Sequence, residues 1–216
     1  MSRIGFKELK AYQQRYGTLG LFKKSVSRVC SFVFSYRPLY IYEIEGVPKT
    51  KVKTLCLLEI RRGKREDIDL IVGIRDYLNK SAIRRYVQYH FDSGGELFLG
   101  FSEGKLAHVC WLFYSPGFEE QWAHIHLKKD EAHIASAHTD SEFRGQNIYP
   151  AVLQHILKYV AEKNIRQVYI TSSPKNIASV RGIEKAGFSK IGEIHGLKFF
   201  GKKFNHHWSS SSDEVS

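Results

Sequence analysis

The sequence predicts an α/β or α+β domain built around a sheet. Three observations carry that prediction. From residue 51 onward, stretches of strand character and stretches of helical spacing take turns along the chain. A strand–turn–helix–strand unit spans about residues 132–172, and its two strands would flank the place where a ligand enters such a sheet. Of the 216 residues, 43% are hydrophobic and 13% aromatic, enough for a substantial core and too many for a disordered chain.

Three regions are expected: a basic N-terminal extension over 1–50, the sheet domain over 51–204, and a polar, disordered tail over 205–216 ending in "SSSSDEVS". In the extension, Phe22, Val26, Val29 and Val33 fall at helical spacing among Lys23, Lys24 and Arg28. The segment from Tyr16 to Tyr36 therefore reads as a basic amphipathic helix, which could pack on the domain or lie on an anionic membrane. "VKTLCLLEI" reads as a strand, and "REDIDLIVGIRDYLNK" as a helix with acids in its first turn. "SAIRRYVQYHF" is a second helix with Ser81 as its cap. "ELFLGF" and "KLAHVCWLFY" form a hairpin about Ser102, Glu103 and Gly104. "QWAHIHL" and "AHIASAHT" are strands. A turn and a helix from Asn147 to about Lys163 follow, then the strand "RQVYITSS" and the helix "KNIASVRGIEKAG", closed by Gly187. "FSKIGEIHGLKFFGKKF" supplies one or two last strands.

The formal net charge is +11 and the isoelectric point about 9.5. Eight Lys/Arg against one acid, Glu8, stand in residues 1–40, so most of the excess belongs to the extension. It suits an acidic partner: an anionic membrane, a phosphorylated cofactor or an acyl carrier protein. A nucleic-acid module is disfavoured, because there is no zinc motif, no RNP-like motif and no clear basic recognition helix. Three cysteines without a CxxC pair argue against a disulfide framework and a thiolate zinc site. No signal peptide is visible and "VCSFVFSY" is too short to span a bilayer. The expectation is a cytoplasmic protein, with peripheral contact at the inner membrane face through the extension; a homodimer is left open.

The stretch "TDSEFRGQNIYPAVLQHIL" is the richest in chemistry. A helix N-terminus presents unpaired N–H groups and the positive end of the dipole, both suited to phosphate. Arg144 adds charge and Gly145 lets backbone approach closely. Asn147 tolerates a left-handed backbone, and Pro150 in the first helical turn costs little. Downstream, Asn176 and Ser179 lie on one face of the next helix start, where Asn176 can cap the helix or hydrogen-bond a ligand.

Together, "EIRRGKREDIDLI", "EFRGQNIYPAVL" and "NIASVRGIEKAGF" resemble the GNAT superfamily of acyl-CoA-dependent N-acyltransferases over about Lys51 to Phe204. The resemblance implies a mixed, splayed central sheet flanked by helices. It implies acetyl-CoA or another acyl-CoA as donor, with the pantetheine arm against the strand near Ala137 and Thr139. The pyrophosphate would meet the backbone of Arg144, Gly145, Gln146, Asn147, Ile148 and Tyr149, and Asn176 and Ser179 would lie alongside. Two departures stand out. The family usually has glycine and another small residue where Asn147 and Tyr149 stand, so the Tyr149 side chain must point away from the cofactor. Many relatives carry a tyrosine as general acid where this chain has Ile183.

Acyl transfer to an amine needs a base to deprotonate the amine and a donor to polarise the thioester carbonyl, for which a backbone N–H on an open strand is suited. Histidine is a natural base. His133, two strand steps from Ala137 and expected on the same face, and Glu131 lie where some relatives place a catalytic His or Glu, and they lead the candidates. His138 faces the opposite side; His124 and His126 could face the same cleft. Cys110 reads as a buried thiol, and no metal is expected, because "HIH" has no third ligand at useful spacing. The acceptor implied is a small primary amine, an amino sugar or an amino acid; related domains with such extensions occur in polysaccharide-modifying pathways. Two other readings are transfer of a long acyl chain from acyl carrier protein, and an inactive CoA-binding regulator.

Overall fold

Strands β1 (Phe34–Glu45), β2 (Glu59–Arg62), β3 (Glu96–Ser102), β4 (Lys105–Tyr114), β5 (Glu131–Thr139), β6 (Gln167–Ser172), β7 (Ser189–Phe199) and β8 (Lys202–Ser210) alternate with helices α1 (Ile68–Ile74), α2 (Lys80–Asp92), α3 (Ile148–Ala161) and α4 (Ile177–Lys185). The computed structural model describes residues 34–74, 80–114, 127–199 and 202–210. The chain divides into a larger unit, Leu39–Ile194 with Trp208–Ser216, and a smaller one, Met1–Pro38 with His195–His207. The described residues of the smaller unit belong to β1, β7 and β8.

In the larger unit the strand order is β2-β3-β4-β5-β6-β1, with β7 beyond β1. β5 and β6 are parallel, while β2 with β3, β3 with β4, β4 with β5, and β6 with β1 are antiparallel. A two-residue turn joins β3 to β4 as expected. Glu103 and Gly104 both have positive φ, 52° and 73°, the twist that suits a tight hairpin.

Both faces of the sheet are covered. On one, Phe98, Cys110, Leu112, Ala132, Ile134, Val168 and Ile170 pack against Ile148, Val152, Leu153 and Ile156 of α3, Ile183 of α4 and Ala186 just after it. On the other, Leu97, Leu99, Val109, Trp111 and Phe113 pack against Ile71 and Val72 of α1 and Ile83 and Val87 of α2. Residues two apart on a strand thus go to the same core, as pleating requires. No helix among the described residues is long and apolar enough to cross a membrane.

The structure departs from the sequence expectations at four places. Phe34–Tyr36, expected at the end of the basic helix, belong to β1, and Tyr40–Glu45 pair with Gln167–Ser172. The larger unit begins at Leu39; residues 1–33 lie outside the described ones. The strand expected in "VKTLCLLEI" is confined to its end, in β2. The Val52 N–H goes to Gln154 Oε1 at 2.9 Å and the Leu55 N–H to the Gln146 carbonyl at 3.1 Å, so this backbone is committed to α3 and its loop and not to a ladder. Leu55 and Leu57 are accordingly exposed, 75% and 79%. Residues 205–210 of the expected tail lie in β8, and 211–216 are outside the described residues. "REDIDLIVGIRDYLNK" is a one-turn 3-10 helix, Arg65–Asp67, followed by α1; α2 begins at Lys80, and residues 75–79 are not described.

Candidate functional site

Parallel pairing of β5 and β6 runs only from Glu131–Gln167 to Ile134–Ile170. Beyond it the strands part. On its other side β5 stays paired with β4, but the register shifts: Val109 faces His138 while Trp111 faces Ala135, so Ser136 and Ala137 together oppose Cys110. This is a β-bulge, and Ser136 has φ +56°. The bulge breaks the alternation of side chains just where β5 loses β6.

A cleft of about 760 Å³ opens at the C-terminal ends of these strands. Ala137 and Thr139 line it from β5, Arg144, Gly145, Asn147, Ile148 and Tyr149 from the loop and the start of α3, and Asn176 and Ser179 from α4. Of the residues the sequence nominated as cofactor-binding, only Gln146 is not in the lining; its carbonyl is turned to Leu55. His108, His138, Arg181, Gly182 and Lys185 also line the cleft and were not nominated for it. Ala178, Arg181 and Lys185 fall at steps of three and four on α4, which was the available signal; His108 had none, because it arrives through the register of β4. Among the described residues, the lining contains three side chains of fixed positive charge and no carboxylate.

The loop is assembled from local chemistry. Asp140 accepts the Glu142 N–H at 2.9 Å and starts a one-turn 3-10 helix, Ser141–Phe143, whose Phe143 is buried. Arg144 is exposed and its Nε donates to the Thr139 carbonyl at 3.3 Å. Gly145 has φ +80° and Asn147 φ +61°, ψ +19°. Asn147 thus occupies a left-handed conformation, as its residue type allows. Its side chain bridges two elements: Nδ2 donates to the Lys53 carbonyl at 2.9 Å, and Oδ1 accepts from Lys185 Nζ at 2.7 Å. Pro150 is the third residue of α3, where no N–H is needed. Asn176 caps α4 by accepting the Ser179 N–H at 3.3 Å.

Tyr149 fits in place of a small residue because its neighbour is a glycine. A Cβ on Gly182 would lie 2.6 Å from Tyr149 Cδ1. The ring stacks on His108 with centroids 5.5 Å apart, and its hydroxyl bonds to the Ser179 side chain. Burial raises the phenol pKa, the Cys110 thiol adds to the rise, and the Ser179 bond opposes it. His108 is buried and shares a 2.8 Å hydrogen bond between Nδ1 and Thr139 Oγ1. Ile183 is fully buried in the core, so no proton donor stands there.

The nominated base candidates lie in the paired part of β5, before the strands part. The Glu131 carboxylate is buried and accepts the Lys128 N–H at 2.8 Å and the Tyr169 hydroxyl at 3.4 Å. His133 is buried between Phe113 of β4 and Tyr169 of β6 in the register. His124 and His126 lie outside the described residues. Among the described residues, no group of three or more His, Cys, Asp or Glu is placed to hold a metal. Cys110 is fully buried and desolvation pushes its thiol up to about 12. It will therefore resist alkylation: in native protein treated with iodoacetamide at pH 8, the Cys110 peptide should stay unmodified by mass spectrometry and become labelled after denaturation.

Comparison with known proteins agrees with this architecture. The model of the acetyltransferase (GNAT) family matches residues 66–188, more than half of the chain, and the chain belongs to that family. The fold is similar to an acetyltransferase of the GNAT family from Colwellia psychrerythraea, at 15% identity over 84% of this chain and 62% of that one, TM-score 0.58. It is also similar to a functionally unknown protein from Staphylococcus epidermidis, at 13% identity over 92% and 82% of the two chains, TM-score 0.53. The chain thus spans less than two thirds of the Colwellia protein's length. No curated protein matches it. The mixed sheet flanked by helices is the fold the sequence resemblance implied.

Proposed function

We propose that the chain is an N-acyltransferase that moves an acetyl group from acetyl-CoA to the primary amine of a small molecule, of the amino-sugar or amino-acid class. One observation carries this reading: among the described residues, the cleft beside the parted strands is lined by Arg144, Arg181 and Lys185 without a carboxylate, at the N-terminus of α3 behind two left-handed residues. Such a site suits a pyrophosphate, through backbone N–H groups and the helix dipole. The backbone of Arg144–Tyr149 would hold the pyrophosphate. The open edge of β5 at Ala137 and Thr139 would receive the amides of the pantetheine arm. Asn176 and Ser179 border the arm from α4, Asn176 offering its side-chain amide.

Acyl transfer then requires two services from the protein. A backbone N–H at the β5 bulge is suited to polarise the carbonyl. A base must take the proton of the attacking nitrogen. Glu131 and His133 are the nominated bases. They project from the face of β5 that carries Ala135, opposite the cleft helices, and His133 is the nearer to the parting of the strands. The acceptor amine on this reading approaches from that face, and the donor from the other.

The reading is tested by calorimetric titration with acetyl-CoA, CoA and desulfo-CoA. The intact protein should bind saturably, and Arg144→Glu should weaken binding by about tenfold or more, the loss of a charge-assisted contact. No binding by the intact protein would overturn the donor assignment.

A further inference from the structure

Three side chains that no motif connects meet at the bulge. Tyr86 and His90 are one turn apart on α2, and both reach Ser136. The Tyr86 hydroxyl bonds Ser136 Oγ, and Ser136 Oγ lies 3.1 Å from His90 Nε2. His90 Nδ1 lies 2.9 Å from the Tyr86 carbonyl. A carbonyl only accepts, so Nδ1 carries the proton in the neutral ring and Nε2 is the acceptor. The order of donation follows: the Tyr86 O–H donates to Ser136 Oγ, and the Ser136 O–H donates to His90 Nε2.

The bulge is what brings Ser136 into this arrangement. Ala135 already faces the core of α1 and α2, so an unbroken pleat would turn Ser136 to the other side. Its left-handed backbone keeps Ser136 with Ala135 and returns Ala137 to the core beneath α3 and α4. Ser136 thus stands next to the cleft residue Ala137, in the stretch of β5 that has lost β6, on the face opposite the donor cleft. A non-glycine residue held in this conformation is a cost that functional sites commonly carry. His90 is buried among Tyr86, Tyr89, Trp111 and Phe113, with ring centroids 4.0 to 5.9 Å away.

We propose that Ser136 is a catalytic residue of the acyl transfer, with His90 behind it as the base and Tyr86 as a positioning residue; this rests on the acetyl-CoA reading above. As the N–C bond forms, Ser136 Oγ takes a proton from the attacking nitrogen and its own proton passes to His90 Nε2. As the C–S bond breaks, the proton returns from His90 through Ser136 to the leaving sulfur. One neutral amine and one thioester give one amide and one thiol, and the protein ends as it began. The same relay supplies the proton that Ile183 cannot.

The test uses the full chain with acetyl-CoA and a panel of ethanolamine, glucosamine and lysine, followed by thiol release. Ser136→Gly removes the hydroxyl and suits the left-handed backbone, so folding is preserved. Ser136→Gly and His90→Gln should each lower kcat by about 100-fold, within the range for general acid–base help. Tyr86→Phe should lower it less. The Kd for acetyl-CoA should stay within about threefold of the parent. With hydroxylamine, whose nitrogen gives up its proton readily to water once bonded to carbon, the deficit of Ser136→Gly should shrink; a packing defect would affect both acceptors alike. Unchanged kcat in Ser136→Gly and His90→Gln overturns the relay, as does a loss confined to His133→Gln or Glu131→Gln. Acetyl-CoA binding without turnover of any amine by the intact protein also overturns the relay and leaves the donor assignment standing. No binding at all removes both.

Discussion

Trp111→Ala should destabilise the protein by about 3–5 kcal/mol, the range for truncating a large buried aromatic residue. Trp111 is 1% exposed and touches rings from two elements: His90 and Phe91 of α2 at 4.9 and 4.8 Å, and Phe113 of β4 at 6.3 Å. Its removal leaves a cavity between α2 and the sheet that short aliphatic neighbours cannot fill. For a chain of this size the melting temperature should fall by about 10 °C. Urea unfolding followed by circular dichroism checks the figure. A loss under about 1 kcal/mol would mean that α2 is held chiefly elsewhere.

Gly182→Ala should cost about 2–3 kcal/mol, near the top of the range for overpacking. The added methyl would lie 2.6 Å from Tyr149 Cδ1 and 3.1 Å from Cε1, and that ring is backed by His108. Neither side can yield without moving α4 from α3. The cost should fall by more than half when the change is made in a Tyr149→Ala background, because the clash has one partner; the double-mutant cycle measures it. Additive effects would show that Gly182 serves the helix and not the tyrosine. The pairing also explains how the start of α3 carries a residue as large as Tyr149: volume gained on α3 is removed on α4.

The local grammar of the chain was readable wherever neighbours in sequence are neighbours in space. The β3–β4 hairpin, the loop from Arg144, the left-handed Asn147, the Asn176 cap and the Gly187 terminus, with φ +106°, all follow from residue type and spacing. β1 escaped because its partner β6 lies more than a hundred residues away and the helical spacing before it runs on into Phe34. The alternation of Tyr40, Tyr42 and Ile44, which pack on one core, against Ile41, which packs on another, was the signal available. The segment 51–58 misled through its apolar run, because its backbone bonds were taken by the side chains of Gln154 and Asn147 and by the Gln146 carbonyl. The Tyr86–Ser136–His90 group had only one visible half, the one-turn spacing of Tyr86 and His90. Its other half depends on a bulge that no local pattern of β5 announces.

The strand-like segment before β2 has a consequence for how a ligand would be received. Gln154 Nε2 donates to the Thr50 carbonyl at 2.8 Å while its Oε1 accepts the Val52 N–H, Asn147 reaches the Lys53 carbonyl, and Leu55 bonds the Gln146 carbonyl. Four residues of one extended stretch therefore brace the turn that faces the cleft and the helix behind it. A free loop of this length would forfeit roughly 1–2 kcal/mol of backbone entropy per residue on gripping a phosphate. Here that loss has already occurred in folding. The site is preorganised: the interaction with an anion would not be reduced by the cost of ordering the turn, and association would have no slow step of loop ordering to wait for.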